Sequence, residues 1–353
     1  SIDANLQELV PRKMLRFMGD ASAYNYIAMA EALEDANLTE EQISDPSIGL
    51  IMGSGVASGM PIVDMADTLR QRGAKRVGPF NVPKIMSSSN AANLATAFKI
   101  KGYSYTISSA CATSGHCLGN AYQLIQAGEQ DLMFVGAGDE VTWIISIAFD
   151  AMGALSSTYN DQPDRASRTY DKDRDGFVIS GGGGTIVLEE YERARARGAK
   201  IYCELTGYGV SSDGVDMVRP SGEGAERCME MALRKVEGPI DYLNTHGTST
   251  PAGDITELEA IRNVFDSQIP AISSTKSLTG HALGAASVNE AIYSILMMEH
   301  NFICPSVNVE NLDPDAEGYP IVFELREAAQ LQNVMSNSFG FGGTNCSLVF
   351  SKT

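Results

Sequence analysis

The segment YSYTISSACATSGHCLGNAYQLIQAG, residues 103–128, decides the fold. Residues 103–107 favour a strand, and three small residues separate them from Cys111. Beyond the cysteine, apolar side chains recur at helical spacing, at Leu118, Ala121, Leu124 and Ile125. A cysteine at this junction faces the unpaired N–H groups and the positive dipole end of a helix. We therefore predict a nucleophilic thiol whose pKa is lowered.

The same pattern recurs later in the chain. Residues 107–119, ISSACATSGHCLG, align with residues 272–284, ISSTKSLTGHALG, and share Ile, Ser, Ser, Gly, His, Leu and Gly at matching positions. A repeated strand, turn and helix indicates two related halves, and a chance match of small residues is the alternative. If the halves fold alike, Cys111 and Lys276 occupy equivalent places.

Composition limits the class of protein. The 353 residues, 44% hydrophobic and 20% charged, fit an α/β protein of about two domains. We expect no membrane span and no secretory signal, because no apolar run approaches roughly 18 residues. A net charge of −18 argues against binding to nucleic acid or anionic membranes. Six cysteines without a C-x-x-C pair indicate reduced thiols, which favours a cytoplasmic location.

Strands and helices alternate along the chain, which predicts a layered and mainly parallel α/β architecture. The charged segment 189–200 is the best candidate boundary. We therefore place an N-terminal half at residues 1–198 and a C-terminal half at residues 199–353.

Three short patterns resemble ligand motifs without completing them. Residues 171–176, DKDRDG, open like a calcium loop, but Gly182 stands where the bidentate Glu is required. Residues 136–138 lack the third glycine of a dinucleotide loop, and residues 181–184 lack the Lys-Ser/Thr of a P-loop. We expect no metal site and no bound cofactor.

Four passages share one pattern, in which a strand ends in small residues around a reactive side chain. They carry Cys111, His246 in NTHGTSTPAGD, Lys276 and His281 in STKSLTGH, and the glycine-rich NSFGFGGTN at residues 337–345. Sites in layered α/β folds assemble at the carboxyl ends of strands. We therefore expect these passages to meet.

These passages resemble the β-ketoacyl-acyl carrier protein synthases, the condensing enzymes of fatty acid synthesis. FDAMGALSS from Phe149 and SRTYDKDRDGFVISGGGG from Ser167 are more similar to the synthase I type than to synthase II. The resemblance spans the whole chain. It implies a thiolase-like fold, with two pseudo-duplicated α/β halves in five αβαβα layers, working as a homodimer.

The implied activity is that of a 3-oxoacyl-[acyl-carrier-protein] synthase. Cys111 takes an acyl chain from acyl carrier protein, malonyl-carrier protein loses CO₂, and the resulting carbanion attacks the acyl thioester. A thiolate suits the reversible exchange of thioesters. No cofactor is implied, since the carrier protein itself holds the phosphopantetheine of the acyl and malonyl thioesters.

The resemblance also implies roles for the charged and imidazole groups. His246 and His281 donate to the oxygen on which charge develops during decarboxylation. Lys276 sets the local charge and the protonation of His281, with Glu257 as its partner. His116, which aligns with His281 in the repeat, is interpreted as structural.

Further residues are implied to contact the substrates. The backbone N–H groups of Cys111 and Phe341 hold the acyl oxyanion, and glycines beside Phe341 let that loop approach and move. Phe149 is assigned to the acyl pocket, and Thr248 and Thr250 to the phosphopantetheine arm. Phe339 and Glu257 are further substrate-binding residues.

A local positive patch is required for docking, because carrier proteins are acidic and so is this chain. Residues 70–84 contain five cations and no acid. The positions that match the family's docking patch are Arg12, Lys13, Arg16, Arg72 and Lys75.

One departure from the family and two alternative activities stay open. Family members begin with a strand, a glycine turn and a helix upstream of this chain's start, and that strand lies in the middle of a sheet. We expect a fragment of a longer product; the alternative is a half-sheet that has lost a central strand and has unpaired backbone groups. One alternative activity is a Cys-His acyl hydrolase using Cys111 and His246. The other is a non-condensing or truncated homologue that binds acyl carrier protein. Acyl chain length and saturation are not determined by these motifs.

Overall fold

The computed structural model describes residues 5–353, and residues 1–4 of the predicted N-terminal half lie outside the described residues. Strands of the first part are β1 Ile48–Gly53, β2 Ser104–Tyr105, β3 Leu132–Asp139 and β4 Gly182–Glu189. Its helices are α1 Leu6–Leu9, α2 Arg12–Leu15, α3 Asp20–Asp35, α4 Glu40–Ile43, α5 Met60–Arg72, α6 Asn81–Ile85, α7 Ser89–Phe98, α8 Thr113–Gln126, α9 Trp143–Ala151 and α10 Tyr191–Ala196.

The second part repeats this alternation. Its strands are β5 Glu204–Ser212, β6 Tyr242–Asn244, β7 Ala271–Ser273, β8 Phe302–Ile303, β9 Arg326–Glu327, β10 Asn333–Gly340 and β11 Thr344–Ser351. Its helices are α11 Glu223–Leu233, α12 Pro251–Phe265, α13 Lys276–Thr279 and α14 Ala286–His300. The boundary between residues 198 and 199 stays a prediction.

Two mixed sheets share the same arrangement of four strands. The first has the order β2-β1-β3-β4 and the second β5-β11-β10-β6-β7. In each, three neighbouring strands pair in parallel, and the last strand in sequence, β4 or β11, runs antiparallel to its neighbour β3 or β10. The duplication that the repeat at residues 107–119 and 272–284 indicates is therefore present in the sheets.

Among the described residues, β5 is the one strand of the second sheet without a counterpart in the first. It lies at the edge of its sheet, antiparallel to β11. By the same symmetry, its equivalent would add to the free edge of β4. The expectation of a lost central strand is therefore wrong for this architecture, because β1 to β4 already pair without a gap within the described residues.

The layers are built around two central helices. α8 and α14 pack against each other between the sheets, α3 and α7 cover the outer face of the first sheet, and α11 and α12 lie on the second. Every residue of β1 and β3 is buried, as expected of strands that are covered on both faces. Side chains from both sheets share the central core, among them Ile51, Val135 and Leu348.

The backbone of α8 packs closely against the ring of Tyr208 on β5. A side chain at Gly119 would place its Cβ 2.1 Å from the ring of Tyr208 on β5, so the helix cannot carry a larger residue there without displacing that ring. The predicted helix after Cys111 is thus present, while the predicted strand 103–107 is reduced to Ser104–Tyr105. Tyr103 donates its N–H to the side chain of Gln130 instead of to a strand.

Among the described helices, none is long and apolar enough to cross a membrane.

Candidate active site

Cys111 lies in a tight turn between β2 and α8. Ala110, immediately before it, has a φ of +50°, which non-glycine residues rarely adopt. Thr113, the first residue of α8, closes the turn: its hydroxyl accepts from the Ser109 N–H at 2.9 Å and donates to the Ala110 carbonyl at 2.7 Å. The two hydrogen bonds hold the chain in this strained conformation beside the thiol.

His246 and His281 converge on the cysteine from the second half. The sulfur and one ring nitrogen of each histidine all lie within 4.8 Å of one another. The rings are perpendicular, with centroids 5.4 Å apart. His281 is also held by the first half, because its N–H donates to the Val178 carbonyl at 2.8 Å. The predicted meeting of these passages is therefore found in the structure.

The Cys111 thiol is less acidic than we expected. Burial raises its pKa to about 11, outweighing the opposing charge of Lys276 and the backbone N–H groups of Phe341 and Cys111. The prediction of a lowered pKa is therefore wrong, because desolvation of the thiolate exceeds the stabilisation at the helix start. The group rests as a thiol and must lose its proton as it reacts.

Both histidines are neutral at neutral pH. Burial, and next the charge of Lys276, lower the pKa of His246 and of His281 well below the ordinary value. Within the described residues, both ring nitrogens of His281 and Nδ1 of His246 lack a hydrogen-bond partner. A neutral imidazole carries one N–H and one lone pair, so each ring can accept a proton or donate to an oxygen.

One sulfur and two imidazoles at this spacing are also ligands that a metal ion accepts. The positive charge of Lys276, which lowers the pKa of both histidines, disfavours a second cation there.

Lys276 is buried at the start of α13, and its ion-pair partner differs from the one we expected. Its Nζ pairs with a carboxylate oxygen of Glu290 on α14. Glu257 instead accepts the N–H groups of His246 at 2.9 Å and Gly247 at 2.8 Å. The assignment of Glu257 as the partner of Lys276 is therefore corrected, since its carboxylate holds the histidine loop.

The carboxyl groups of Glu290 and Glu257 are both buried, and burial raises the pKa of each. Burial raises the pKa of Glu290 to about 7 and that of Glu257 to about 7, in each case against the charge of Lys276. The Oε2 atom of Glu290 has no hydrogen-bond partner within the described residues. The positive charge that acts on the two histidines therefore belongs to Lys276, which is buried together with the carboxyl group of Glu290.

Two backbone N–H groups face the sulfur, those of Cys111 and of Phe341. Their approach depends on Gly340, where a Cβ would lie 3.0 Å from the Ser109 carbonyl oxygen and 3.1 Å from the Cys111 nitrogen. N–H groups from two segments that meet at one atom are the components from which an oxyanion hole is built.

A cavity of about 360 Å³ opens onto the cysteine. Its lining includes most of the residues that we assigned to substrate contacts, namely Phe149, Thr248, Thr250, Phe339 and Phe341. The ring of Phe149 contacts those of Phe177 and Phe341, with centroids 5.2 and 6.2 Å away. The hydroxyls of Thr248 and Thr250 lie 3.2 Å apart, near enough to share one polar ligand.

The five predicted docking cations are exposed and lie on two neighbouring segments. Arg12 and Lys13 belong to α2 with Arg16 after it, whereas Arg72 ends α5 and Lys75 follows. The segments meet where the Arg16 guanidinium lies 5.0 Å from the ring centroids of both Phe17 and Phe80. Arg16 therefore lies beside the segment that follows Lys75 in the chain.

Two site residues were missed from the sequence, Glu290 and Asp139. The signal for Glu290 was that it is the one charged residue among residues 286–298 of α14. Asp139, the last residue of β3, accepts from the N–H groups of Gly55 at 2.9 Å and Gly284 at 2.7 Å. Burial raises the pKa of Asp139 to about 6. This carboxyl joins the two halves behind the cysteine.

Comparison with known proteins places these features in a family. The N-terminal domain of beta-ketoacyl synthases matches residues 1–194, and the C-terminal domain matches residues 202–310. The 3-oxoacyl-[acyl-carrier-protein] synthase 1 of Haemophilus influenzae is 58% identical over 353 residues, which cover 100% of this chain and 87% of that protein.

Solved structures agree with this match. A beta-ketoacyl synthase from Burkholderia phymatum superimposes with a TM-score of 0.91 at 37% identity, over 97% of this chain and 85% of that one. The AntDE:AntF complex, a ketosynthase with its type II PKS acyl-carrier protein, has a TM-score of 0.86 at 30% identity, with 97% and 85% covered.

Proposed function

The chain belongs to the beta-ketoacyl synthase family, and we propose that it condenses an acyl chain held on Cys111 with malonyl-acyl carrier protein in fatty acid elongation. The observation that carries this reaction is the convergence of the Cys111 thiol and two neutral imidazoles within 4.8 Å, at an apolar cavity. The product is a 3-oxoacyl-carrier protein two carbons longer.

Acyl transfer to Cys111 is the first step. The thiol gives its proton to a neutral imidazole as the sulfur attacks the acyl thioester carbonyl. The oxyanion that forms accepts from the N–H groups of Cys111 and Phe341. The tetrahedral intermediate then expels the carrier's phosphopantetheine thiolate, which takes the proton back from the imidazole.

Decarboxylation and condensation follow. The bond between the malonyl carboxylate and its carbon breaks, CO₂ leaves, and the electron pair becomes an enolate whose oxygen accepts from His246 and His281. The enolate carbon attacks the acyl-Cys111 carbonyl, and Cys111 leaves as a thiolate, which takes up one proton from solvent to return to the resting thiol. Lys276 supports this step because its charge keeps both imidazoles neutral, each with one N–H to donate.

The reaction is tested by following Cys111 itself. Mass spectrometry should detect an acyl group on Cys111 after incubation with acyl-carrier protein. Addition of malonyl-carrier protein should then yield CO₂ and a 3-oxoacyl product, and Cys111→Ala should abolish both. A stable acyl-enzyme that never condenses would support the non-condensing alternative. Free fatty acid without CO₂ would support a Cys-His hydrolase.

Acyl carrier protein docks, in this proposal, on the surface formed by Arg12, Lys13, Arg16, Arg72 and Lys75. Its support is the exposure of these cations and the contact of their two segments through Phe17 and Phe80. An acidic protein would be attracted to such a region although the chain as a whole carries −18.

The docking site is tested by charge reversal at Arg72 and Lys75. The double change to Glu should raise KM for carrier-bound substrate much more than KM for an acyl-pantetheine mimic. A matched control reverses Arg234 and Lys235, two exposed cations in the C-terminal half. Equal effects of the two double variants, or equal effects on the two substrates, would contradict the docking site.

We also propose a homodimer in the cytoplasm. The supporting feature is β2, which lies at the edge of the first sheet with Tyr105 38% exposed and Tyr103 43% exposed beside it. Exposed edge strands commonly pair with another chain. Sedimentation equilibrium should report twice the chain mass, and a monomer at micromolar concentration would contradict this assembly.

A further inference from the structure

His116 makes contacts that its interpretation as a structural residue did not anticipate. Its half-buried ring lies between the turn that carries Cys111 and the start of β11. Nδ1 lies 2.6 Å from the Ser109 hydroxyl, and Nε2 lies 3.1 Å from the carbonyl oxygen of Asn345. The ring therefore bridges two segments that are far apart in sequence.

The two partners determine how this ring is protonated. A carbonyl oxygen only accepts, so Nε2 carries the hydrogen and donates to Asn345. Nδ1 then accepts from the Ser109 hydroxyl. Burial lowers the pKa of His116, which agrees with a neutral ring that has one donor and one acceptor. Both nitrogens are thus used, and neither is free for substrate.

The segments that His116 joins are those that supply the oxyanion hole. Ser109 stands two residues before Cys111, and Asn345 follows the loop that contains Phe341. Thr344 makes a second connection between the same two segments, because its hydroxyl donates to the Ser109 carbonyl at 3.2 Å. The separation of the Cys111 and Phe341 N–H groups therefore depends on how these segments are held together.

Asn345 is itself held in place by contacts that do not involve His116. Its side-chain amide donates to Asp213 at 2.7 Å and to Ser211 at 3.1 Å. Its backbone is paired within the sheet, opposite Ser211 on β5 and Phe339 on β10. A ring anchored to Asn345 is therefore anchored to the second sheet rather than to a mobile loop.

We infer that His116 is a positioning residue for the oxyanion hole of the proposed condensing reaction. It does not contact the substrate. It holds the Cys111 turn at the distance from the Phe341 loop at which both N–H groups reach one oxygen. This inference rests on the proposed function, since an oxyanion forms only if Cys111 accepts an acyl group.

The rates of two reactions of the Cys111 sulfur, acylation and alkylation, distinguish this role from a general effect on structure. Acyl transfer from an acyl-pantetheine builds an oxyanion, whereas alkylation by iodoacetamide displaces iodide from a saturated carbon and builds none. A misplaced oxyanion donor costs roughly 10- to 100-fold in rate. We expect His116→Leu to slow acylation of Cys111 by about that factor and to leave its alkylation within about twofold.

Partial substitutions keep the test decisive if His116→Leu folds poorly. Asn places a polar atom near the position of Nδ1, and Gln places one near that of Nε2. His116→Asn and His116→Gln should each retain one contact and give intermediate acylation rates. Gln123→Leu, at an exposed position on the same helix, is the control and should change neither rate.

The outcomes are distinguishable. A wild-type protein that acyl-pantetheine does not acylate would contradict the proposed function and, with it, this role. Normal acylation of the wild type together with an unchanged acylation rate in all three His116 variants would overturn only the positioning role. Equal losses in acylation and alkylation would overturn it too, because they would indicate general disruption of the Cys111 turn.

Discussion

The buried ion pair of Lys276 and Glu290 leads to a quantitative prediction. Their side chains are 2% and 3% exposed, so removal of one leaves the other desolvated and unpaired. Opposite charges about 4 Å apart attract by about 4 kcal/mol at an effective dielectric constant near 20. Breaking such pairs costs about 3–5 kcal/mol. We expect Glu290→Leu to lower the free energy of unfolding by about that amount at pH 8, where the Glu290 carboxyl, with its pKa raised to about 7, is ionised.

Lys276→Met should cost less than Glu290→Leu near pH 6. Glu290 already has a pKa raised to about 7 by burial, and removal of Lys276 takes away the charge that opposes this rise. The carboxyl left behind can therefore be protonated instead of remaining a buried charge. A carboxyl whose folded-state pKa is raised loses its stabilising contribution as pH rises through that pKa. The variant should thus lose more stability than the wild type between pH 6 and pH 9.

The double variant Lys276→Met/Glu290→Leu contains neither charge and should recover most of the loss of Glu290→Leu. The measurement is urea unfolding followed by circular dichroism at pH 6 and pH 8, at one protein concentration because dimerisation would affect stability. A double variant as unstable as the sum of the single variants would refute the coupling. Equal costs of the two single variants at pH 6 would refute the raised pKa of Glu290.

Three further predictions concern the thiol, the imidazoles and the central helix. Because burial raises the Cys111 pKa to about 11, its alkylation by iodoacetamide should accelerate about tenfold per pH unit from pH 7 to 10, and a plateau near pH 8.5 would contradict this. Because the His246 and His281 pKa values lie well below 6.5, the decarboxylation rate should stay constant from pH 8 to 6.5. A decrease of this rate with a midpoint at or above pH 6.5 would show that the rings become protonated. Gly119→Ala, whose Cβ would meet the Tyr208 ring at 2.1 Å, should cost about 1–3 kcal/mol and lower Tm relative to Gln123→Ala, and an unchanged Tm would show that the ring moves freely.

The site shows which kinds of inference a sequence supports. The strand, small-residue turn and helix around Cys111 are local, and they could be read from spacing alone. The meeting of Cys111, His246 and His281 followed from a rule about where strands end in layered α/β folds. The partner of Lys276 could not be derived in this way. Glu257 and Glu290 both lie on buried helical faces, and only packing decides which one reaches the amine.

Sequence by itself determined the duplication, the alternation of strands and helices, and the candidate side chains Cys111, His246 and His281, because these depend on local patterns and on a repeat. Only the tertiary structure decided the sign of the Cys111 pKa shift, the edge position of β5 and the bridge made by His116. The physical reason is that desolvation and long-range hydrogen bonds depend on which segments pack together. The junction at Cys111 predicts a helix N-terminus beside the thiol, but it carries no information about how much water that thiol loses.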